Sequence, residues 1–128
     1  MKKYMPILLL FLLLIGCSKQ SHQEKNYRQL STKDAVTMMN EENNYLIVDV
    51  RTLEEYNEKH IPNAINIPNE NIGTKEIPEL PDKNQLIFVY CRSGNRSKQA
   101  SEKLAGLGYT NIVEFGGINT WTGDTVSE

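Results

Sequence analysis

The stretch "LIFVYCRSGNRSKQA", residues 86–100, decides how this chain folds. A run of apolar residues, typical of a buried strand, stops at Cys91. A short polar loop with two arginines and a glycine follows, and the residues from about Ser97 onward predict a helix. In a parallel sheet, ligands bind beyond the carboxyl ends of the strands. The sequence therefore places a thiol at an edge where chemistry is expected.

The loop after Cys91 favours an anion. A helix start offers free N–H groups and the positive end of the helix dipole, and these lower a thiol pKa from its usual value of about 8.5. Arg92 and Arg96 add positive charge, while Gly94 and Asn95 tolerate the left-handed backbone of a tight turn. A buried structural thiol is the alternative, but the combination of features predicts a reactive thiolate.

Working outward from this segment, strand patterns alternate with helical patterns. Strands are predicted over 45–50, 64–68, 86–90 and 111–115. Helices are predicted after the capping residues Ser31 and Thr52 and again from Ser97, with Gly108 as the last stop. This alternation predicts an α/β domain with a mainly parallel sheet and helices on its faces.

The N-terminus predicts export. Lys2 and Lys3 precede an apolar run over 5–15, which is shorter than the roughly 20 residues of a membrane-spanning helix. The segment that ends in Gly16 and Cys17 resembles the bacterial lipoprotein box, in which the cysteine is acylated and becomes the first mature residue. Residues 1–16 are then a lipoprotein signal peptide, and lipidated Cys17 anchors the protein to a membrane, facing outside the cytoplasm.

Residues 17–29 have almost no apolar content and predict a polar tether, with the folded domain at 30–128. The formal charge is −2, and loss of the two leader lysines makes the mature chain more acidic. No basic excess points to nucleic acid, and a monomer is expected. Since Cys17 is lipidated and Cys91 has no histidine or cysteine beside it, neither a metal, a cofactor nor an internal disulfide is predicted.

Three segments carry a resemblance to a known family. "LIVDVRTLEEYNEKHIPNAINIP", "VYCRSGNRS" and "LAGLGYTNIVEFGGINTW" together cover most of the chain from about Leu30 to Trp121. They resemble, in order, the motifs of single-domain rhodaneses, which are sulfurtransferases. The resemblance implies a central, mainly parallel sheet with helices on both faces.

The resemblance also implies roles for individual residues. Cys91 is then the catalytic nucleophile that accepts sulfur, and the amides of the loop hold its persulfide and the donor; these residues are Arg92, Ser93, Gly94, Asn95, Arg96 and Ser97. Arg92 and Arg96 attract an oxyanion such as thiosulfate. Asp49 and Arg51 match a supporting pair of the family. His60 is expected to be structural, and whether Arg51 or His60 acts in catalysis stays open.

The expected reaction has two steps. The Cys91 thiolate takes the outer sulfur of thiosulfate or a related small-molecule donor, and the persulfide then passes it to a thiol, cyanide or protein acceptor. Two alternatives stay open. One is a membrane-tethered rhodanese-like binding module. The other is a cysteine phosphatase or arsenate reductase, which the loop length disfavours because six residues from Cys91 to Arg96 are one fewer than those enzymes use.

Overall fold

A computed structural model describes residues 26–128 and contains a five-stranded, wholly parallel sheet in the order β1-β5-β4-β2-β3. The strands are β1 (Arg28–Gln29), β2 (Tyr45–Asp49), β3 (Ile65–Asn66), β4 (Leu86–Cys91) and β5 (Ile112–Gly117). The helices are α1 (Thr32–Glu41), α2 (Leu53–Glu58) and α3 (Asn95–Gly106), with short 3₁₀ turns at Asn69–Asn71 and Ile118–Thr120.

The central strand β4 divides the core into two layers. All of its residues are buried, and their side chains point alternately to opposite faces. One face packs on α3, and its members include Ile87, Val89, Cys91, Ala100 and Leu104. The other packs on α1, and its members include Leu86, Phe88, Tyr90, Ala35 and Met39. This arrangement confirms the predicted α/β class with helices on both faces, and it directs Cys91 toward α3.

The starts of α1 and α2 are present for the predicted physical reason. The Ser31 hydroxyl accepts the N–H of Asp34 at the start of α1. Thr52 and Glu55 form a reciprocal capping box at the start of α2. Gly108, which follows α3, has a φ of 101°, the left-handed conformation that commonly ends a helix.

Several boundaries differ from the sequence prediction, and three of the differences bear on the site or on the extent of the domain. The third strand is confined to Ile65–Asn66, because Pro68 lacks an N–H group for a longer ladder. The helix after the loop begins at Asn95 rather than near Ser97. The folded region begins before Leu30, since Tyr27 is buried and β1 pairs with β5. The end of the predicted tether is thus part of the sheet.

The leader at 1–16 and the tether up to residue 25, including Cys17, lie outside the described residues. Among residues 26–128, none of the helices is both long enough and apolar enough to cross a membrane.

Candidate active site

Cys91 is the last residue of β4 and its side chain is buried beneath the loop that follows. The Gly94 N–H donates to its Sγ atom at 3.0 Å, and the Ser97 Oγ atom lies 3.5 Å from the same sulfur. α3 begins at Asn95, so the sulfur sits at the helix N-terminus, where free N–H groups and the dipole favour an anion.

The surroundings of Cys91 lower its pKa. Burial raises the pKa of the thiol, but hydrogen bonds from the Ser97 hydroxyl and from the N–H groups of Ser97, Gly94 and Ser93 outweigh burial and bring it below its usual value. The thiolate is therefore favoured by three loop amides and one hydroxyl.

The loop needs its glycine at one position. Gly94 has a φ of 116°, a conformation that other residues adopt only at a cost. Asn95, which the sequence also made a candidate for a left-handed conformation, is instead the first residue of α3. Asn63 is the one non-glycine residue with a positive φ, 74°, among the described residues, which agrees with its tolerance of that region.

A bulge in β5 brings a second glycine against the loop. The pairing of β4 with β5 shifts between Val89↔Glu114 and Cys91↔Gly117, so β5 holds one extra residue there. Gly116 in the bulge has a φ of 89°. A Cβ atom on Gly117 would lie 2.2 Å from the carbonyl oxygen of Arg92 and 2.6 Å from that of Cys91. The loop can occupy its position only because residue 117 has no side chain.

Gly117→Ala is expected to displace the loop, since both contacts are to backbone atoms that cannot rotate away. Overpacking of this kind costs about 1–3 kcal/mol, and the reactivity of Cys91 should fall with it. The measurements are urea unfolding and the rate of Cys91 alkylation. Gly106→Ala is the matched control, because its Cβ meets nothing within 4 Å. Equal behaviour of the two variants would contradict the steric argument.

The two loop arginines have different surroundings. Arg96 donates from both terminal nitrogens to the Glu55 carboxylate, at 2.7 and 3.1 Å. Its pKa is raised by that hydrogen bond first and by the charges of Glu55 and Cys91 as well. Arg92 is exposed, and within residues 26–128 its guanidinium has no ion-pair partner. Arg92 therefore offers the freer positive charge, and the partner of Arg96 was missed from the sequence.

The Glu55–Arg96 pair is expected to make stability depend on acid pH. The hydrogen bond from Arg96 lowers the pKa of Glu55 from 4.5 to about 2. Because the folded pKa lies below the unfolded one, the pair stabilises the fold above the usual carboxyl pKa, and that contribution is lost as pH falls toward 2. In urea unfolding at several acid pH values, Glu55→Gln should flatten this loss, whereas Glu54→Gln, on the same helix turn, should not. If the free energy of unfolding fell with pH equally in wild type and in Glu55→Gln, this role of the Glu55–Arg96 pair would be contradicted.

Asp49 and Arg51 form a buried ion pair behind the loop. Asp49 accepts from the Arg51 backbone N–H, from two nitrogens of its guanidinium and from the Tyr90 hydroxyl, the last at 2.6 Å. Arg51 also donates to the carbonyl of Lys59 at 2.7 Å. Burial, the charge of Asp49 and its hydrogen bond raise the pKa of Tyr90, so its hydroxyl stays a donor. The pair holds the end of β2 beside the residue that precedes Cys91.

His60 lies in a separate buried contact. Its ring stacks on Tyr56 with the centroids 3.7 Å apart, and its Nδ1 atom lies 2.8 Å from the Tyr56 carbonyl oxygen. Its backbone pairs with Val126, and its Nε2 atom lies 3.4 Å from a Glu128 carboxylate oxygen. These contacts hold the C-terminal segment against the residues that follow α2.

Glu114 was missed by the sequence analysis. It is 2% exposed, points to the same face of the sheet as Cys91, and accepts from the Ser97 hydroxyl at 2.5 Å and the Gly116 N–H at 2.9 Å. The available signal was an acid inside "NIVEF", a strand expected to be buried on both faces. A carboxylate there requires buried polar partners, and the loop supplies one.

Two cavities flank the loop, and Arg92 lines both of them. One, of about 700 Å³, lies beside β1 and β5 and includes Lys33, Lys98 and Glu114 in its lining. The other, of about 530 Å³, includes Arg51, Asn119 and Trp121. Over residues 26–128, no three side chains of His, Cys, Asp or Glu come together as a metal site would require.

The site thus places a cysteine at a strand end of a parallel α/β domain, beneath a loop of amides and arginines. The chain belongs to the rhodanese family, because the model of the Rhodanese-like domain matches residues 31–124.

Known relatives agree with this assignment. Thiosulfate sulfurtransferase PspE of Escherichia coli is 41% identical over 71 residues, which are 56% of this chain and 68% of that protein. The adenylyltransferase and sulfurtransferase UBA4 of Candida albicans is 33% identical over 107 residues, which are 78% of this chain but only 24% of UBA4. The chain thus corresponds to about a quarter of that larger protein.

Solved structures show the same fold. A rhodanese with anions from E. coli superposes with a TM-score of 0.60 at 36% identity, over 66% of this chain and 99% of that one. A rhodanese-like domain protein from Staphylococcus aureus superposes with a TM-score of 0.65 at 29% identity, over 79% of this chain and 98% of that one.

Proposed function

We propose that this protein is a sulfurtransferase that moves sulfane sulfur from thiosulfate, or a related donor, to a thiol or cyanide acceptor through a persulfide on Cys91. The observation that carries the proposal is the Cys91 sulfur beneath three loop amides at the start of α3, in surroundings that lower its pKa. Similarity to PspE, which is a thiosulfate sulfurtransferase, supports the choice of donor.

In the first step, the Cys91 thiolate attacks the outer sulfur of thiosulfate. A bond forms between Sγ and that sulfur, the bond to the sulfite sulfur breaks, and sulfite leaves with the electron pair. One negative charge stays on the new persulfide, where the N–H groups of Ser93, Gly94 and Ser97 stabilise it. The exposed guanidinium of Arg92 attracts the donor dianion.

In the second step, the acceptor attacks the terminal sulfur of the persulfide. The bond between the two sulfurs breaks, its electron pair returns to Sγ, and the Cys91 thiolate is restored. The reaction is therefore expected to follow ping-pong kinetics. The cavity between Arg92 and Trp121 is the proposed approach for the acceptor, because it opens beside the loop.

The test is the intact mass of the purified domain before and after thiosulfate. Persulfide formation adds the mass of one sulfur atom, and cyanide should then remove it as thiocyanate. No added mass, with normal alkylation of Cys91, would favour a binding module of the same fold. Release of phosphate from a phosphoester, or reduction of arsenate, would favour the phosphatase or arsenate reductase alternative instead.

We also propose that the domain works at a membrane surface outside the cytoplasm, held by lipid on Cys17. The support is the order of Lys2 and Lys3, an apolar run and then Gly16-Cys17. In cells given labelled fatty acid, the full chain should take up label and sediment with membranes, whereas Cys17→Ser should lose the label and its membrane binding. Cys91→Ser is the matched control and should be labelled like wild type. Label on Cys17→Ser would rule out this anchor.

A further inference from the structure

Glu114 is a buried carboxylate that the proposed reaction does not use. It lies on β5, 2% exposed, and contacts α3 through one side chain, Ser97. On its other side the Gln29 amide donates to its second oxygen at 3.1 Å. A buried carboxylate is costly unless its partners compensate for the lost water. Glu114 therefore depends on its hydrogen bonds with Ser97, Gln29 and the Gly116 N–H.

Ser97 stands between this carboxylate and the reactive sulfur. Its Oγ atom is 2.5 Å from the Glu114 carboxylate and 3.5 Å from the Cys91 Sγ atom. A serine hydroxyl has one proton to donate. While that proton points at Glu114, the sulfur lacks its hydroxyl donor, and the thiol S–H instead points at Ser97. The sulfur gains the hydroxyl donor only when Glu114 no longer accepts it.

We propose that Glu114 is a positioning residue that shares one proton with Cys91 through the hydroxyl of Ser97. In the resting site, the thiol donates to Ser97 and Ser97 donates to ionised Glu114. To form the thiolate, the S–H bond breaks with its electron pair left on sulfur and its proton bound to Ser97 Oγ. The original hydroxyl proton moves to Glu114, so that neutral Glu114 donates to Ser97 and Ser97 donates to the sulfur anion.

The physical reason is charge. A thiolate and a carboxylate joined by a single hydroxyl, both out of water, repel each other strongly, and one proton shared between them leaves a single negative charge. The persulfide carries the same single charge as the thiolate, so Glu114 can hold its proton through both steps of sulfur transfer. The positive groups in the adjoining cavity are too exposed to replace this proton; these groups are Lys33, Arg92 and Lys98.

Other groups near the pair must be kept unchanged in any test. Tyr27, before β1, has its pKa raised by burial and by the charges of Glu102 and Glu114. The pKa of Arg96 is raised by its hydrogen bond to Glu55 and by the charges of Glu55, Cys91 and Asp49. The Arg96 guanidinium donates to Glu55, whereas the Ser97 hydroxyl donates to Glu114, so substitutions at Glu114 and Ser97 change the hydroxyl path and leave the Arg96 pair in place.

The test is the rate of Cys91 alkylation by iodoacetamide across pH. In wild type, we expect two steps, because the pair loses its two protons in succession. In Glu114→Gln, which keeps the size and cannot ionise, we expect one step with a midpoint lower by about one pH unit. Ser97→Ala should raise the midpoint and remove the acid-side step. Glu102→Gln, an exposed charge change on α3, should match wild type.

The double variant Ser97→Ala with Glu114→Gln decides between two explanations. One is a proton shared through the Ser97 hydroxyl, and the other is simple repulsion between the charges of Cys91 and Glu114. If Ser97 carries the effect, Glu114→Gln should shift the midpoint much less when Ser97 is already alanine. A shift of equal size with and without the Ser97 hydroxyl, or a Glu114→Gln profile that overlays wild type, overturns the proposal. If Glu114→Gln does not fold, the Ser97→Ala profile decides alone, since retention of both steps there overturns it.

The inference rests on the proposed persulfide chemistry for its role, but alkylation needs no sulfur donor. Failure of thiosulfate to add mass, with the two-step profile present, would reject the proposed function and keep the shared proton. Sulfur transfer together with a one-step alkylation profile in wild type would keep the proposed function and reject the shared proton.

Discussion

Cys91→Ser is expected to lose thiosulfate sulfur transfer and to gain no mass from thiosulfate. A serine hydroxyl at this site stays protonated near neutral pH and cannot form a persulfide, whereas the thiol is held in surroundings that lower its pKa. The rate should fall by roughly a thousandfold or more, to the rate without enzyme. The measurements are steady-state thiocyanate formation and intact mass.

The control for this prediction is Ser101→Ala on α3. The Ser101 hydroxyl is buried and has no hydrogen-bond partner within the described part of the chain, so its removal should leave sulfur transfer unchanged. Thermal unfolding should show that the Cys91→Ser protein is folded. Sulfur added to the folded Cys91→Ser protein would mean that another group carries it, and the assignment of Cys91 would fail.

Asp49→Asn is expected to produce the largest loss of stability among single substitutions near the site. The Asp49 side chain is fully buried and Arg51 is 5% exposed, so the substitution leaves a buried guanidinium without its counter-charge. Breaking one side of such a pair costs about 3–5 kcal/mol. The Asn amide would also direct a donor toward the donors of Arg51 and Tyr90. Urea unfolding at neutral pH measures the loss.

The matched variant is the double substitution Asp49→Asn with Arg51→Met, which removes the stranded charge and should recover part of the stability. Below its unfolding transition, Asp49→Asn should still accept sulfur, because Asp49 contacts Tyr90 rather than the sulfur itself. A loss below about 1 kcal/mol would show that solvent reaches the pair and that it is not a buried support.

The contiguous part of the site could be predicted from sequence. Cys91 and the loop to Ser97 adjoin one another in the chain, so a strand pattern, a glycine and a helix pattern are enough to place sulfur and amides together. The need for left-handed backbone at Gly94 follows from the same short turn. The order of the helices and of β2 to β5 was equally accessible, because each depends on local periodicity and capping, whereas β1 was assigned to the tether.

The contacts between residues far apart in the sequence could not be predicted in the same way. Arg96 meets Glu55 across 41 positions, and Ser97 meets Glu114 across 17. Their partners depend on the register of β5 and the angle of α2, which the local pattern does not specify. For this reason the sequence analysis described Arg96 only as a charge that attracts an oxyanion and missed its ion pair with Glu55. It gave no role to Glu114.

The position of β1 has a consequence for the order of folding. β1 is the first strand of residues 26–128, yet its sheet partner is β5, the last of them, with Arg28 opposite Val113. Closing so long a loop is entropically unfavourable until other contacts hold β5 in place. We therefore expect β2, β4 and β5 to associate first and β1 to dock last. During synthesis, β1 emerges early but has no strand to pair with until β5, near the end of the domain, has also emerged.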